Sequence, residues 1–214
     1  MTTSASKVFN LAVPITDDAG STWTSITLRE PTLRDQANIQ RRTTATGTEQ
    51  AVQLIAALSG VPESAVRRLK TRDVRRMERW QRGLVDEAIA IDVTDDDNGD
   101  HLAPSKTFVL ASPIETESAP ITEITVREPD LEAGIAIEKF KTAGEQTAAM
   151  LAALTGLPIP SVMRLAARDV ARIERWLSFF SKDGELSEED EMEDTPPSDS
   201  APVGETSPSS SPGN

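Results

Sequence analysis

The chain has 214 residues, no cysteine, no tyrosine and one histidine, His101, which sits in an Asp-rich stretch. That composition excludes a disulfide framework and thiol chemistry, and it leaves few groups for general acid–base work beyond carboxylates that nothing sets apart as pairs. The net charge of −13 is concentrated: residues 183–214 hold ten acidic side chains and residues 92–105 five, neither with a basic one, so the remainder carries 22 basic against 20 acidic groups and reads as near-neutral folded material with two solvated acidic segments.

Met1 to Lys7 is polar and no apolar run follows it, so no signal peptide is expected. Apolar stretches such as Leu54-Ile55-Ala56-Ala57-Leu58 are too short to cross a bilayer. Phe9, Leu11, Val13 and Ile15 alternate with other residues, as do Ile26 and Leu28, which is the period of half-buried strands. Asp17-Asp18-Ala19-Gly20-Ser21 between them has turn composition, so a β-hairpin is expected. Pro31 ends the second strand because it has no N–H for the ladder. In the Arg29-Glu30-Pro31 step we read an ion pair at the strand edge followed by a chain-turning proline.

Thr32 suits a helix cap, with Asp35 three residues on as its reciprocal partner. A second helix is expected from near Thr48-Glu49 to Gly60, which fits the left-handed position after a helix end. Pro62-Glu63 opens a short helix carrying Val66 and Leu69. Thr71 is expected to cap a last helix whose apolar stripe is Val74, Met77, Trp80 and Leu84. The Asp95-Asp96-Asp97-Asn98-Gly99-Asp100 run fails as a calcium loop: with Gly99 sixth, Thr94 is first and Ser105 twelfth, where an Asp and a Glu are needed.

The pattern then recurs. Lys106 to Ile114 repeats Lys7 to Ile15, Ile124 to Pro129 repeats Ile26 to Pro31, and Met150 to Pro158 repeats Leu54 to Pro62. Arg168-Asp169-Val170 through Trp176 repeats Arg72-Asp73-Val74 through Trp80, and the offset drifts only from 99 to 98 to 96. Asp130, Gly156, Pro160 and the stripe Val170, Ile173, Trp176 and Phe180 hold the corresponding places. The expected architecture is α+β: two tandem copies of a hairpin followed by three to four short helices. We divide the chain into a first repeat at 1–91, an acidic linker at 92–105, a second repeat at 106–182 and a disordered acidic tail at 183–214. A unit this small is marginal alone, so the copies are expected to pack on each other or to imitate a dimer.

Arg67, Arg68, Lys70, Arg72, Arg75, Arg76, Arg79 and Arg82 crowd one span, and Arg72, Arg75, Arg79 and Arg82 share a helical face. Nucleic-acid binding is disfavoured, because Asp73 and Glu78 interrupt the patch, the second copy keeps only Arg164, Arg168, Arg172 and Arg175, and the acidic tail competes for it. A solvated or acid-docking face is expected instead. Trp80 and Trp176 are expected in the core. No phosphate-binding glycine loop, zinc spacing or nucleophile elbow occurs.

The order hairpin, Ile26-Thr27-Leu28-Arg29-Glu30-Pro31-Thr32, helix, Leu54 to Pro62, closing helix from Arg72-Asp73-Val74 resembles the tail assembly chaperones of Mu-like and P2-like contractile-tailed phages. The resemblance covers 7–84 and again 106–181. It departs from the usual pattern in its doubling and in its tail. It implies a non-enzymatic protein without cofactors or metal that binds the helical tape measure protein in the host cytoplasm and leaves before the virion is complete. Further partners it implies are the tail tube protein and a second copy of itself. Helix-in-groove binding suits that role. The residues expected to contact the client are Leu54, Ile55 and Leu58, Met150, Leu151 and Leu154, and Arg72, Arg75 and Arg79. The rival readings are a structural component retained in the tail and, further off, a small nucleic-acid-binding regulator.

Overall fold

Alternating apolar residues and a tight turn produce the first element pair. In the computed structural model, which describes residues 5–42, 47–96, 103–116 and 119–182, β1 (Ser6–Thr16) and β2 (Thr22–Arg29) pair antiparallel with Phe9 opposite Ile26. Asp17 closes the turn: its Oδ1 accepts the N–H groups of Ala19 at 2.9 Å and Ser21 at 2.8 Å, and Gly20 takes φ 88°. In the second copy β3 (Ser105–Ile114) and β4 (Ile121–Arg127) pair likewise, with Phe108 opposite Ile124. The register shifts between Asn10 and Ile15, and again between Val109 and Ile114. Such a bulge leaves a backbone N–H without its ladder partner.

A buried aspartate in each copy meets that need. Ala12 N–H donates to Asp73 and Ala111 N–H to Asp169, both at 3.1 Å, and both carboxylates are 1 % exposed. Arg76 and Arg172, three residues on, bind these carboxylates and donate to the carbonyls of Asn10 and Val109. The Asp-x-x-Arg step therefore ties the last helix to the hairpin.

Four helices follow each hairpin among the described residues: α1 (Leu33–Arg41), α2 (Gly47–Ser59), α3 (Glu63–Val66) and α4 (Thr71–Asp96), then α5 (Leu131–Ile137), α6 (Ala143–Thr155), α7 (Ile159–Val162) and α8 (Ala167–Lys182). The α+β class and the tandem arrangement stand. Thr32 and Asp35 form the reciprocal cap, and Asp130 accepts from Ala133 N–H at 2.8 Å. Gly60 and Gly156 end α2 and α6 at φ 72° and 71°. Two details differ from the sequence reading. Thr71 is the first helical residue rather than the cap, and α4 runs on to Asp96, where charge alone placed a linker from residue 92. Residues 97–102 and the tail at 183–214 lie outside the described residues.

Each copy has its own core. Phe9, Leu28, Ile55, Leu58, Val66 and Met77 form the first, and Phe108, Val126, Leu151, Val162, Ile173 and Trp176 form the second. Trp176 is 1 % exposed, whereas Trp80 is half-buried against the edge of Phe9 at 5.8 Å. The second core has one member from outside its own copy, Leu33 of α1. No helix among the described residues is long and apolar enough to cross a membrane.

Candidate functional site

Two features stand out: a joint between the copies, and an open groove on the first copy. The joint begins at the proline that ends β2. Pro31 has no N–H but keeps its carbonyl, which accepts from Ala167 N–H at 2.9 Å. Leu33 and Arg34 lie in the first turn of α1, where N–H groups lack intrahelical acceptors. They donate to the carbonyls of Leu165 and Met163, each at 3.0 Å. Thr32 and Ala166 thus form an antiparallel bridge across the copies.

Side chains lock this backbone contact. Glu30 is 2 % exposed, and Arg168 Nη2 donates to its Oε2 at 3.0 Å. Arg168 Nε lies 2.7 Å from Oε1, but off the line of its N–H, so that approach is ionic rather than a hydrogen bond. Burial pushes the Glu30 carboxyl above its usual range; the Arg168 charge opposes this and nearby Asp169 adds to it. Along the helices, Gly144 N–H donates to Gln40 at 2.7 Å and Arg41 Nε to Glu145 at 2.8 Å. The Arg41 hydrogen bond holds the Glu145 carboxyl below its ordinary value. Gly144 allows the close approach of α1 and α6, since a Cβ there would lie 2.9 Å from both Cα and Cβ of Ala37.

The Arg29-Glu30-Pro31 step is therefore not a strand-edge pair. Arg29 clasps Asp35 with two bonds, at 2.7 and 2.8 Å, and Glu30 reaches the other copy. Burial works against the Asp35 charge, but the bonds from Arg29 and Thr32 outweigh it and hold this carboxyl below its ordinary value.

The groove lies between β1 and α4, has a volume of about 420 Å³, and is floored by Phe9, Trp80, Gly83 and Leu84. Lys7, Arg76 and Arg79 rim it with positive charge against a single Glu87. In the second copy the positions of Gly83 and Leu84 hold Phe179 and Phe180. Phe180 meets Trp176 edge-on at 4.9 Å, and Phe179 packs on the core. The same place is filled there by the protein's own rings.

The family described as "Phage tail assembly chaperone proteins, E, or 41 or 14" matches residues 8–86 and again 107–182. The chain belongs to this family. It is a phage tail assembly chaperone unit present twice in tandem, and each match spans a hairpin and its helices. No curated protein and no solved structure matches the chain.

The chaperone's expected contact residues fall into three groups. Ile55, Leu58, Leu151 and Leu154 are buried in the two cores. Leu54 and Met150 keep some surface. Arg72, Arg75 and Arg79 are exposed, and Arg79 lies on the groove rim. Other arginines of the cluster have internal duties: Arg67 pairs with Glu49 and Glu63, and Arg68 with Asp18 and the Thr16 carbonyl. Sequence reasoning missed Lys7, Phe9 and Gly83. The signal was Gly83 standing where the second copy has Phe179. No group of three or more His, Asp or Glu residues among those described is placed to hold a metal.

Proposed function

We propose that this chaperone acts without catalysis, binding the tape measure protein in the host cytoplasm during tail building and leaving before the particle is finished. The observation that carries this reading is the open groove of the first copy. Its aromatic floor and mostly cationic rim fit an amphipathic helix that presents an apolar stripe flanked by acidic side chains. In the second copy Phe179 and Phe180 stand at the corresponding place, which puts the site on the first copy.

Co-expression of the full chain with the tape measure protein encoded in the same phage tests the reading. The expected result is a client that is insoluble alone and co-purifies with the chaperone, together with absence of the chaperone from purified particles. A client that stays soluble alone and never co-purifies overturns it, and a chain found in finished tails makes it a structural component instead.

A further inference from the structure

The joint connects a donor segment of the first copy to an acceptor surface of the second, yet each copy carries both. Donor residues Glu30, Leu33 and Arg41 correspond to Glu128, Leu131 and Lys139; acceptor residues Glu145, Leu165 and Arg168 correspond to Glu49, Leu69 and Arg72. The two donor leucines differ sharply in cover, and so do the two acceptor segments. Leu33 is 2 % exposed, whereas Leu131 is 89 % and Ile135 61 % exposed. Leu165 and Ala166 are buried, whereas Leu69 is half-buried and Lys70, Thr71 and Arg72 are exposed. Over the unused acceptor lies an open cavity of about 560 Å³, lined by Val52, Val66, Leu69 and Val74 among others. Their counterparts Ala148, Val162, Leu165 and Val170 belong to the cluster that Leu33 completes.

We propose that a second copy of this chain occupies that cavity, so that α5 of one molecule docks on the first copy of the next and repeats the internal joint between molecules. Leu131 takes the place of Leu33, and its N–H meets the Leu69 carbonyl. Glu128 faces Arg72, and Lys139 reaches Glu49 beside Arg67, so both ion pairs keep their sign. Ile135 faces Thr48 where Ala37 faces Gly144, which sets the helices farther apart than in the internal joint. Within one chain the two bare ends do not meet, since Leu131 stays open. Donor and acceptor are different surfaces, so the contact is heterologous: each added chain offers a fresh donor, and assembly proceeds to a ring or filament rather than stopping at a two-fold dimer. This inference stands apart from client binding.

Sedimentation velocity on the full chain over a wide concentration range tests it. Wild type is expected to grow beyond a dimer as concentration rises. Leu131→Asp removes the donor and Arg72→Glu the acceptor; each is expected to remain monomeric with an unchanged Tm. An equimolar mixture of the two is expected to form a one-to-one dimer and nothing larger, because each supplies the surface the other lacks. Glu128→Arg combined with Arg72→Glu is expected to regain the growth that either change alone abolishes, which decides the matter even where Leu131→Asp fails to fold. A wild type that stays monomeric throughout, variants that grow as wild type does, or a mixture and a double variant that stay monomeric each overturn the proposal.

Discussion

Glu30 and Arg168 stand 138 positions apart in sequence and form one buried ion pair. Removing one partner of such a pair strands the other charge. Arg168→Met is expected to cost about 3 kcal/mol of unfolding free energy, read by urea denaturation of the full chain. Glu30→Gln leaves a neutral acceptor for the guanidinium and is expected to cost less. Equal costs would mean that the charge on Glu30, and not its capacity to accept a hydrogen bond, carries the pair.

Burial raises the Glu30 carboxyl above its ordinary 4.5, so the folded chain holds this proton more tightly than the unfolded chain does. The associated stability is fully present below 4.5 and is lost as pH rises through the raised value. The stability difference between wild type and Glu30→Gln is expected to shift toward the variant as pH rises above 4.5. Asp35 behaves oppositely: its contribution is present above 3.8 and is lost as pH falls through the lowered value, so Asp35→Asn is expected to cost less in acid. Curves flat with pH for both variants would contradict these assignments.

Leu33 and Leu131 are the same residue at the same place in the repeat, one buried and one bare. Leu33→Ala is expected to destabilise the chain by about 3 kcal/mol. Leu131→Ala, measured in dilute solution, is expected to change stability by less than about 0.5 kcal/mol. Thermal or urea unfolding of both variants distinguishes them, and equal effects would mean that the joint is not formed in solution.

Gly144 and Gly134 offer a second contrast. A methyl group at Gly144 meets Ala37, whereas one at Gly134 meets nothing within 4 Å. Gly144→Ala is expected to cost about 1–3 kcal/mol through overpacking, and Gly134→Ala to add about 0.5–1 kcal/mol through helix propensity. Unfolding curves of the two single variants check both signs.

Gly83→Phe imports the second copy's residue into the open groove, where a Cβ meets nothing within 4 Å. Stability is expected to stay within about 1 kcal/mol of wild type, while co-purification with the tape measure protein falls at least about tenfold, the equivalent of 1.4 kcal/mol. Retention of the client at wild-type yield would place the client elsewhere.

The local plan was legible in the chain. Alternation at Phe9 and Ile26, the Thr32 and Asp35 cap, and Gly60 and Gly156 all report on their near neighbours, and the duplication made each feature visible twice. The joint was not legible, because Leu33 and Leu131 carry the same local signal and only the path of the chain decides which is covered. The core and any client surface also draw on the same residue types, so the sequence did not show that Ile55 and Leu151 pack inward. Arg76 and Arg172 look like solvated charges by composition, yet they hold bulge carbonyls more than sixty positions away.

The lending of Leu33 to the second core imposes an order in time. A ribosome makes this chain from the first copy onward, so that leucine emerges long before the residues that will enclose it. At a synthesis rate on the order of ten residues per second, the wait is roughly ten seconds. During that interval the nascent first copy presents an uncovered leucine, and the closing helix of the second copy is the last piece needed to hide it.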